Sequence, residues 1–193
     1  MSLPLILASK ILRVKIFLFE PNMVIGRANK FFLKFSEKIF CYSKNIKNFP
    51  RKFIPKQEII YPLIRKEFYQ YHLLKKKKND QLNLLIIGGS QGAKIFDKEI
   101  KDSIIELKKK YDLKIYQQTN FENIENLKNF YNDNNIKNYI FEYDDSFLNI
   151  ISKTDLCITR AGASTLSELI FLNIPFLAIP LPSSKDNHQY ENA

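Results

Sequence analysis

Residues 82–94 read LNLLIIGGSQGAK. The apolar run 82–88 has the composition of a strand buried on both faces. Gly88, Gly89 and Gly92 then take the chain through a tight turn into a helix spanning Gln91 to about Lys110. The same alternation continues downstream. LKIYQQ (113–118) reads as a strand and 121–134 as an Asn-rich helix; YIFEY (139–143) is a strand and Ser146–Lys153 a short helix. DLCIT (155–159) is a strand and Ala163–Asn173 a helix; PFLAIP (175–180) is a strand, and a last helix begins near Asn187. Five apolar strands alternating with helices predict an α/β doubly wound parallel sheet.

Upstream, VKIFLF (14–19) reads as a strand, Glu20-Pro21-Asn22 as a turn, and Arg27–Phe35 as a helix with an aromatic face. IFCYS (39–43) and QEIIYP (57–62) are further strands, the second stopped by Pro62. Lys75–Lys78 with Asn79 and Asp80 make a solvated connection. The expected organisation is therefore a first domain over 1–66, a linker over 67–80 and a second domain over 81–193.

The whole chain has 193 residues and a net charge of +10. Residues 1–78 hold 18 basic and 4 acidic side chains, a net of +14; residues 79–193 hold 12 and 16, a net of −4. The asymmetry points to an anionic partner for the first half: nucleic acid, a membrane surface or a phosphorylated substrate. No nucleic-acid recognition motif accompanies the charge. Phe31, Phe32, Phe35, Phe40 and Tyr42 interleave with Lys30, Lys34 and Lys38, which suits either a membrane surface or an amphipathic helix with snorkelling lysines. Two Cys and two His exclude a disulfide framework and a His-rich metal centre. No apolar run reaches the roughly 18–20 residues of a bilayer span, and LPLILA (3–8) lacks the small-residue cleavage site of a signal peptide.

In a doubly wound sheet, ligands bind beyond the carboxyl ends of the strands. Three turns there carry chemistry. Gly88–Gly92 suits backbone approach to an anion at a helix N-terminus, with Ser90 adding a hydroxyl; its spacing fits neither GxGxxG nor a Walker loop, and a plain tight turn is the other reading. ITRAGASTLSE (158–168) offers the amides of Ala163, Ser164 and Thr165, with Leu166 and Ser167 leading to Glu168, whose carboxylate suits a ribose diol; Thr165 and Glu168 also have capping-box spacing. DNHQ (186–189) offers amide and carboxylate groups for hydroxyls. His188 is a weak candidate base. In the first half, Asn22 and Arg65 stand out, Arg being well suited to a diphosphate.

Taken together, GGSQGA (88–93), TRAGASTLSE (159–168) and DNHQ with Asn192-Ala193 resemble the MurG family, bacterial N-acetylglucosaminyltransferases that finish the lipid-linked peptidoglycan precursor. FEPNMVIGRANKF (19–31) resembles the family's HEQN-x-x-x-G-x-x-N segment, with Phe19 and Pro21 in place of its His and Gln, and YPLIR (61–65) resembles its NPVR segment. The resemblance implies the GT-B fold, two Rossmann-like domains, here with the N-terminal one incomplete and the C-terminal one truncated. The family's GGTGGH segment, which holds a candidate general base, has no counterpart, so the catalytic base is left unassigned.

The implied activity is inverting transfer of N-acetylglucosamine from UDP-N-acetylglucosamine to the muramyl 4-hydroxyl of the undecaprenyl-diphosphate-linked muramyl pentapeptide. It needs no metal or cofactor and takes place at an anionic membrane surface, peripherally on the cytoplasmic face of the inner membrane. The implied contacts are Asn22 and Arg65 on the donor, Ser90 on phosphate, and Ala163, Ser164 and Thr165 on the diphosphate. Glu168 would hold the ribose, Gln189 the sugar, and a backbone group near Tyr143 the uracil. Another GT-B enzyme, such as a nucleotide-sugar 2-epimerase, and a non-catalytic UDP-sugar-binding piece are the rival readings.

Overall fold

The computed structural model describes residues 3–73, 80–88, 93–181 and 187–193. They pack as two compact units. The first comprises Met1–Leu63, Gly162–Ser164 and Pro182–Ala193; the second comprises Ile64–Ala161 and Thr165–Leu181.

In the second unit, β4 (Leu82–Ile87), β5 (Leu113–Gln118), β6 (Lys137–Phe141), β7 (Leu156–Thr159) and β8 (Phe176–Ala178) form one parallel sheet in the order β6-β5-β4-β7-β8. Successive strand residues point to opposite faces. Leu84 and Ile86 therefore join one core with Phe96, Ile104, Leu113, Ile115 and Leu127. Leu85 and Ile87 join another with Tyr116, Phe141, Cys157 and Leu169. Helices α3 (Ala93–Glu99), α4 (Lys101–Lys108) and α5 (Ile124–Asp133) supply the first core; α6 (Phe147–Ile151) and α7 (Ala163–Phe171) supply the second. This is the doubly wound arrangement that the alternation predicted. Its chain order runs outward from β4 to β6, then returns to the other side of β4 with β7, which sets a topological switch point between β4 and β7.

The glycine-poor chain ends two of these helices with asparagine. Asn135 and Asn173 take left-handed φ of 52° just beyond α5 and α7, and Ile136 N–H and Ile174 N–H reach back to the carbonyls of Tyr131 and Leu169 at 2.8 and 3.0 Å. The long helix expected over 91–110 is instead two: Ile100, in a turn conformation, separates α3 from α4. Lys66–Leu73 is a 3-10 helix whose Phe68 is fully buried in the second unit's core.

In the first unit, β1 (Phe17–Glu20), β2 (Lys38–Cys41) and β3 (Gln57–Ile59) form a three-stranded parallel sheet in sequence order. α1 (Leu3–Ile11), which strand and helix periodicity did not predict, and α2 (Arg27–Phe32) add Ile6 and Phe32 to a core of Leu18, Ile25, Leu33, Ile39 and Cys41. The C-terminal α8 (His188–Asn192) groups with this unit.

Candidate functional site

In the second unit, Arg65 and Glu168 meet across 103 residues of sequence. Arg65 Nε donates to Glu168 Oε1 at 2.8 Å and Nη2 to Oε2 at 2.9 Å, a side-on bidentate fork. The guanidinium lies over the rings of Phe68, at 4.2 Å, and Phe147, at 5.0 Å. Two aromatic faces and a carboxylate thus fix a cation whose side chain is still 43% exposed, while Glu168 is 12% exposed. An ordinary surface pair contributes little; this one is held by geometry on three sides. It forms because the 3-10 helix that follows Arg65 brings Phe68 beneath it, the Phe68 N–H donating to the Arg65 carbonyl at 3.0 Å.

Glu168 is the sixth residue of α7, and Ala163, Ser164 and Thr165 are its first three. Thr165 is thus inside the helix, where it cannot act as the N-cap of a box with Glu168, and the Glu168 carboxylate goes to Arg65 instead. Leu166 is buried, as one turn of an apolar face requires, and Ser167 is half-buried. Tyr143 lies beyond the end of β6 and is 80% exposed; next to it Asp144 accepts from Tyr139 Oη and the Ser146 N–H, each at 2.6 Å. The hydrogen bond to Asp144 pushes the Tyr139 phenol up. Ser90 lies outside the described residues.

In the first unit, the turn after β1 is built on a buried carboxylate that sequence reasoning did not single out. Glu20 is 2% exposed. Its Oε1 accepts from the Asn22 side chain at 2.9 Å and the Asn22 N–H at 3.3 Å. Its Oε2 accepts from the Gly26 N–H at 2.7 Å and from Asn29 Nδ2 at 3.0 Å. Gly26 permits that approach: a Cβ there would stand 3.3 Å from Glu20 Oε2. Because a carboxylate only accepts, Asn22 must turn Nδ2 toward it, leaving Oδ1 to accept from Asn192 Nδ2 at 3.0 Å. Asn192 Oδ1 in turn accepts from the Met23 N–H at 2.9 Å. The helix carrying Asn192 also carries the half-buried Gln189, and Glu191 of the same helix pairs with Lys47. Asn22 and the helix of Gln189 are therefore joined within this unit. The available signal for Glu20 was an acid at the end of an apolar strand, followed within nine residues by two Asn and a Gly.

Residues 83–193 match the model of the glycosyltransferase family 28 C-terminal domain. Over all 193 residues the chain is 61% identical to the UDP-N-acetylglucosamine–N-acetylmuramyl-(pentapeptide) pyrophosphoryl-undecaprenol N-acetylglucosamine transferase of Pelagibacter ubique (strain HTCC1062), of which it covers 54%. Over 192 residues, 96% of the chain, it is 39% identical to the protein of the same name from Rickettsia bellii (strain RML369-C), again covering 54% of that relative. Among solved structures it resembles Acinetobacter baumannii MurG with a TM-score of 0.73 and 25% identity, over 99% of this chain and 53% of that one. A UDP-glucosyltransferase from Polygonum tinctorium, 13% identical with a TM-score of 0.59 over 91% of this chain and 54% of its own, shares the fold. The chain spans about half the length of the curated relatives it matches. With its parallel α/β sheet and a family match over most of its length, the chain belongs to glycosyltransferase family 28.

Proposed function

We propose that the protein transfers N-acetylglucosamine from UDP-N-acetylglucosamine to the muramyl 4-hydroxyl of undecaprenyl-diphosphate-linked muramyl pentapeptide. The observation that carries this reading is the similarity, along the whole of this chain, to about half the length of a transferase whose name describes that reaction. The hydroxyl oxygen, losing its proton to a general base, attacks the anomeric carbon from the face opposite the diphosphate; the bond from that carbon to the diphosphate oxygen breaks, UDP leaves, and the configuration inverts.

The Arg65–Glu168 fork supports a role in holding the donor. Each Glu168 oxygen spends one acceptor site on Arg65 and keeps another for a ribose hydroxyl, while Arg65 keeps the second Nη2 hydrogen, and Nη1 with only a 4.0 Å ion pair to Glu67, for phosphate oxygens. One fork can serve both parts of a nucleoside diphosphate. Ser90, with Ala163, Ser164, Thr165 and the following Leu166-Ser167 turn, takes the diphosphate, where helix N-termini offset the charge developing on the leaving group. Asn22 and Gln189 meet the sugar side, and a backbone group near Tyr143 meets the uracil.

The acceptor sits at an anionic membrane surface in this reading. Leu5, Leu7, Ile11, Leu12 and Phe31 of the first unit are exposed. Lys10 and Lys34 lie against the Phe35 ring in the same region, the mixture of apolar and basic groups that suits peripheral binding. No helix among the described residues is long and apolar enough to cross a membrane.

The decisive experiment is Glu168→Ala in the full-length enzyme. Donor affinity by titration calorimetry is expected to fall on the order of tenfold or more, as for a lost charge-assisted pair of hydrogen bonds; unchanged affinity defeats the assignment. Radiolabelled donor with lipid acceptor tests the reaction itself: label in the lipid supports transfer, and an epimerised free sugar overturns it.

A further inference from the structure

Arg160 follows β7 directly and is 6% exposed. Among the described residues, its Nε and Nη2 have no hydrogen-bond partner. The other buried polar side chains, Glu20 and Asp97 among them, are hydrogen-bonded. A buried guanidinium without a partner is costly, and a structure that retains one has left a place for an acceptor. Burial alone pulls this guanidinium below the usual arginine range.

Position and shape say which acceptor. Ile87, Thr159 and Ala178 are level with one another across β4, β7 and β8, so Arg160 stands on the level of Gly88 and Ile179 at the carboxyl edge. That is the switch point between β4 and β7, where a doubly wound sheet opens a crevice. The unpartnered Nε and Nη2 form the side-on edge of the guanidinium, the edge with which Arg65 grips both oxygens of Glu168. It matches two oxygens on one centre, as a phosphoryl group presents them.

We propose that Arg160 binds a phosphoryl group of the nucleoside diphosphate through its Nε–Nη2 edge. This rests on the donor reading above and adds a residue to it. Arg160 holds the diphosphate at the switch point, while Arg65 takes further phosphate oxygens and Glu168 of α7 takes the ribose.

The test is titration of the full-length protein with UDP and with uridine, for the parent, Arg160→Met and Arg160→Lys, alongside thermal unfolding without ligand. Arg160→Met is expected to weaken UDP about ten- to a hundredfold and to leave uridine unchanged. Arg160→Lys, with charge but no fork, is expected to fall between. Ligand-free Arg160→Met is expected to melt no lower than the parent, because an apolar side chain of similar length replaces an unpaired buried charge. Unchanged UDP affinity in both variants overturns the proposal. So does a fall in melting temperature with UDP and uridine weakened together, the signature of a structural role. If Arg160→Met does not fold, the UDP-to-uridine ratio of Arg160→Lys decides in the same way. A parent that binds neither UDP nor UDP-N-acetylglucosamine sinks the donor reading itself, an outcome distinct from either variant result.

Discussion

Among the described residues, each unit buries one carboxylate beneath hydrogen-bond donors, and the two are used differently. Glu20 of the first unit draws all four of its donors from the nine residues that follow it, two of them backbone N–H groups. Asp97 of the second unit, on α3, draws its donors from other elements: Gln117 Nε2 at 2.8 Å, Thr119 Oγ1 at 2.6 Å and Asn123 Nδ2 at 2.7 Å. Gln117 then accepts from Tyr131 Oη on α5. A carboxylate satisfied locally shapes a loop; one satisfied by distant side chains ties a helix to a sheet. The first is suited to presenting Asn22, the second to holding the fold.

That contrast can be broken. Asp97→Ala strands three donors, two of them buried, and is expected to cost about 3 kcal/mol in urea unfolding, with UDP affinity retained. Glu20→Gln swaps one acceptor oxygen for an amide donor in a loop. It is expected to cost only about 1 kcal/mol of stability while lowering transfer by on the order of tenfold or more, through misplacement of Asn22. The reverse pattern, a large stability loss at Glu20 with activity intact, would remove the distinction.

The two buried thiols sharpen the comparison at a smaller scale. Burial, opposed by a hydrogen bond from Gln57, pushes Cys41 of the first unit up from 9.0 to about 11. Burial alone pushes Cys157 of the second up to about 12. A raised folded pKa favours the protonated thiol. Its contribution is full below pH 9 and is lost as pH climbs through 11 for Cys41 and 12 for Cys157. Stability in urea is therefore expected to decline above pH 9 by at most about 1.4 kcal/mol per pH unit for each thiol. Cys157→Ala should flatten that decline; an unaltered slope assigns it elsewhere.

The elements that were legible share a cause. The 113–118 strand was read at its observed limits, because Leu113, Ile115 and Tyr116 form a β-prone apolar segment bounded by Asp112 on one side and Thr119-Asn120 on the other. The break at Ile100 was invisible because Phe96, Ile100 and Ile104 keep helical spacing across it and all three are buried, so periodicity ran on. α1 escaped because Leu5, Leu7 and Ile11 are exposed; its apolar residues mark no single face. For the site, the motifs picked out Arg65, Glu168 and Asn22 individually. That Arg65 and Glu168 are each other's partners, and that Asn22 is oriented through Asn192, depends on contacts 103 and 170 residues apart in sequence, which no local pattern encodes.

The link between Asn22 and Asn192 bears on the order in which the chain is made. Synthesis delivers the loop at 20–26 early and its amide partner 170 residues later. At translation rates of about 5–20 residues per second, roughly ten to thirty seconds separate them. Glu20 can preform the loop in that interval from its own neighbours, but the Asn22 amide and the Met23 N–H are latched only once the five strands of the second unit have left the ribosome. The Asn22–Asn192 latch thereby closes only after the intervening unit has been synthesised.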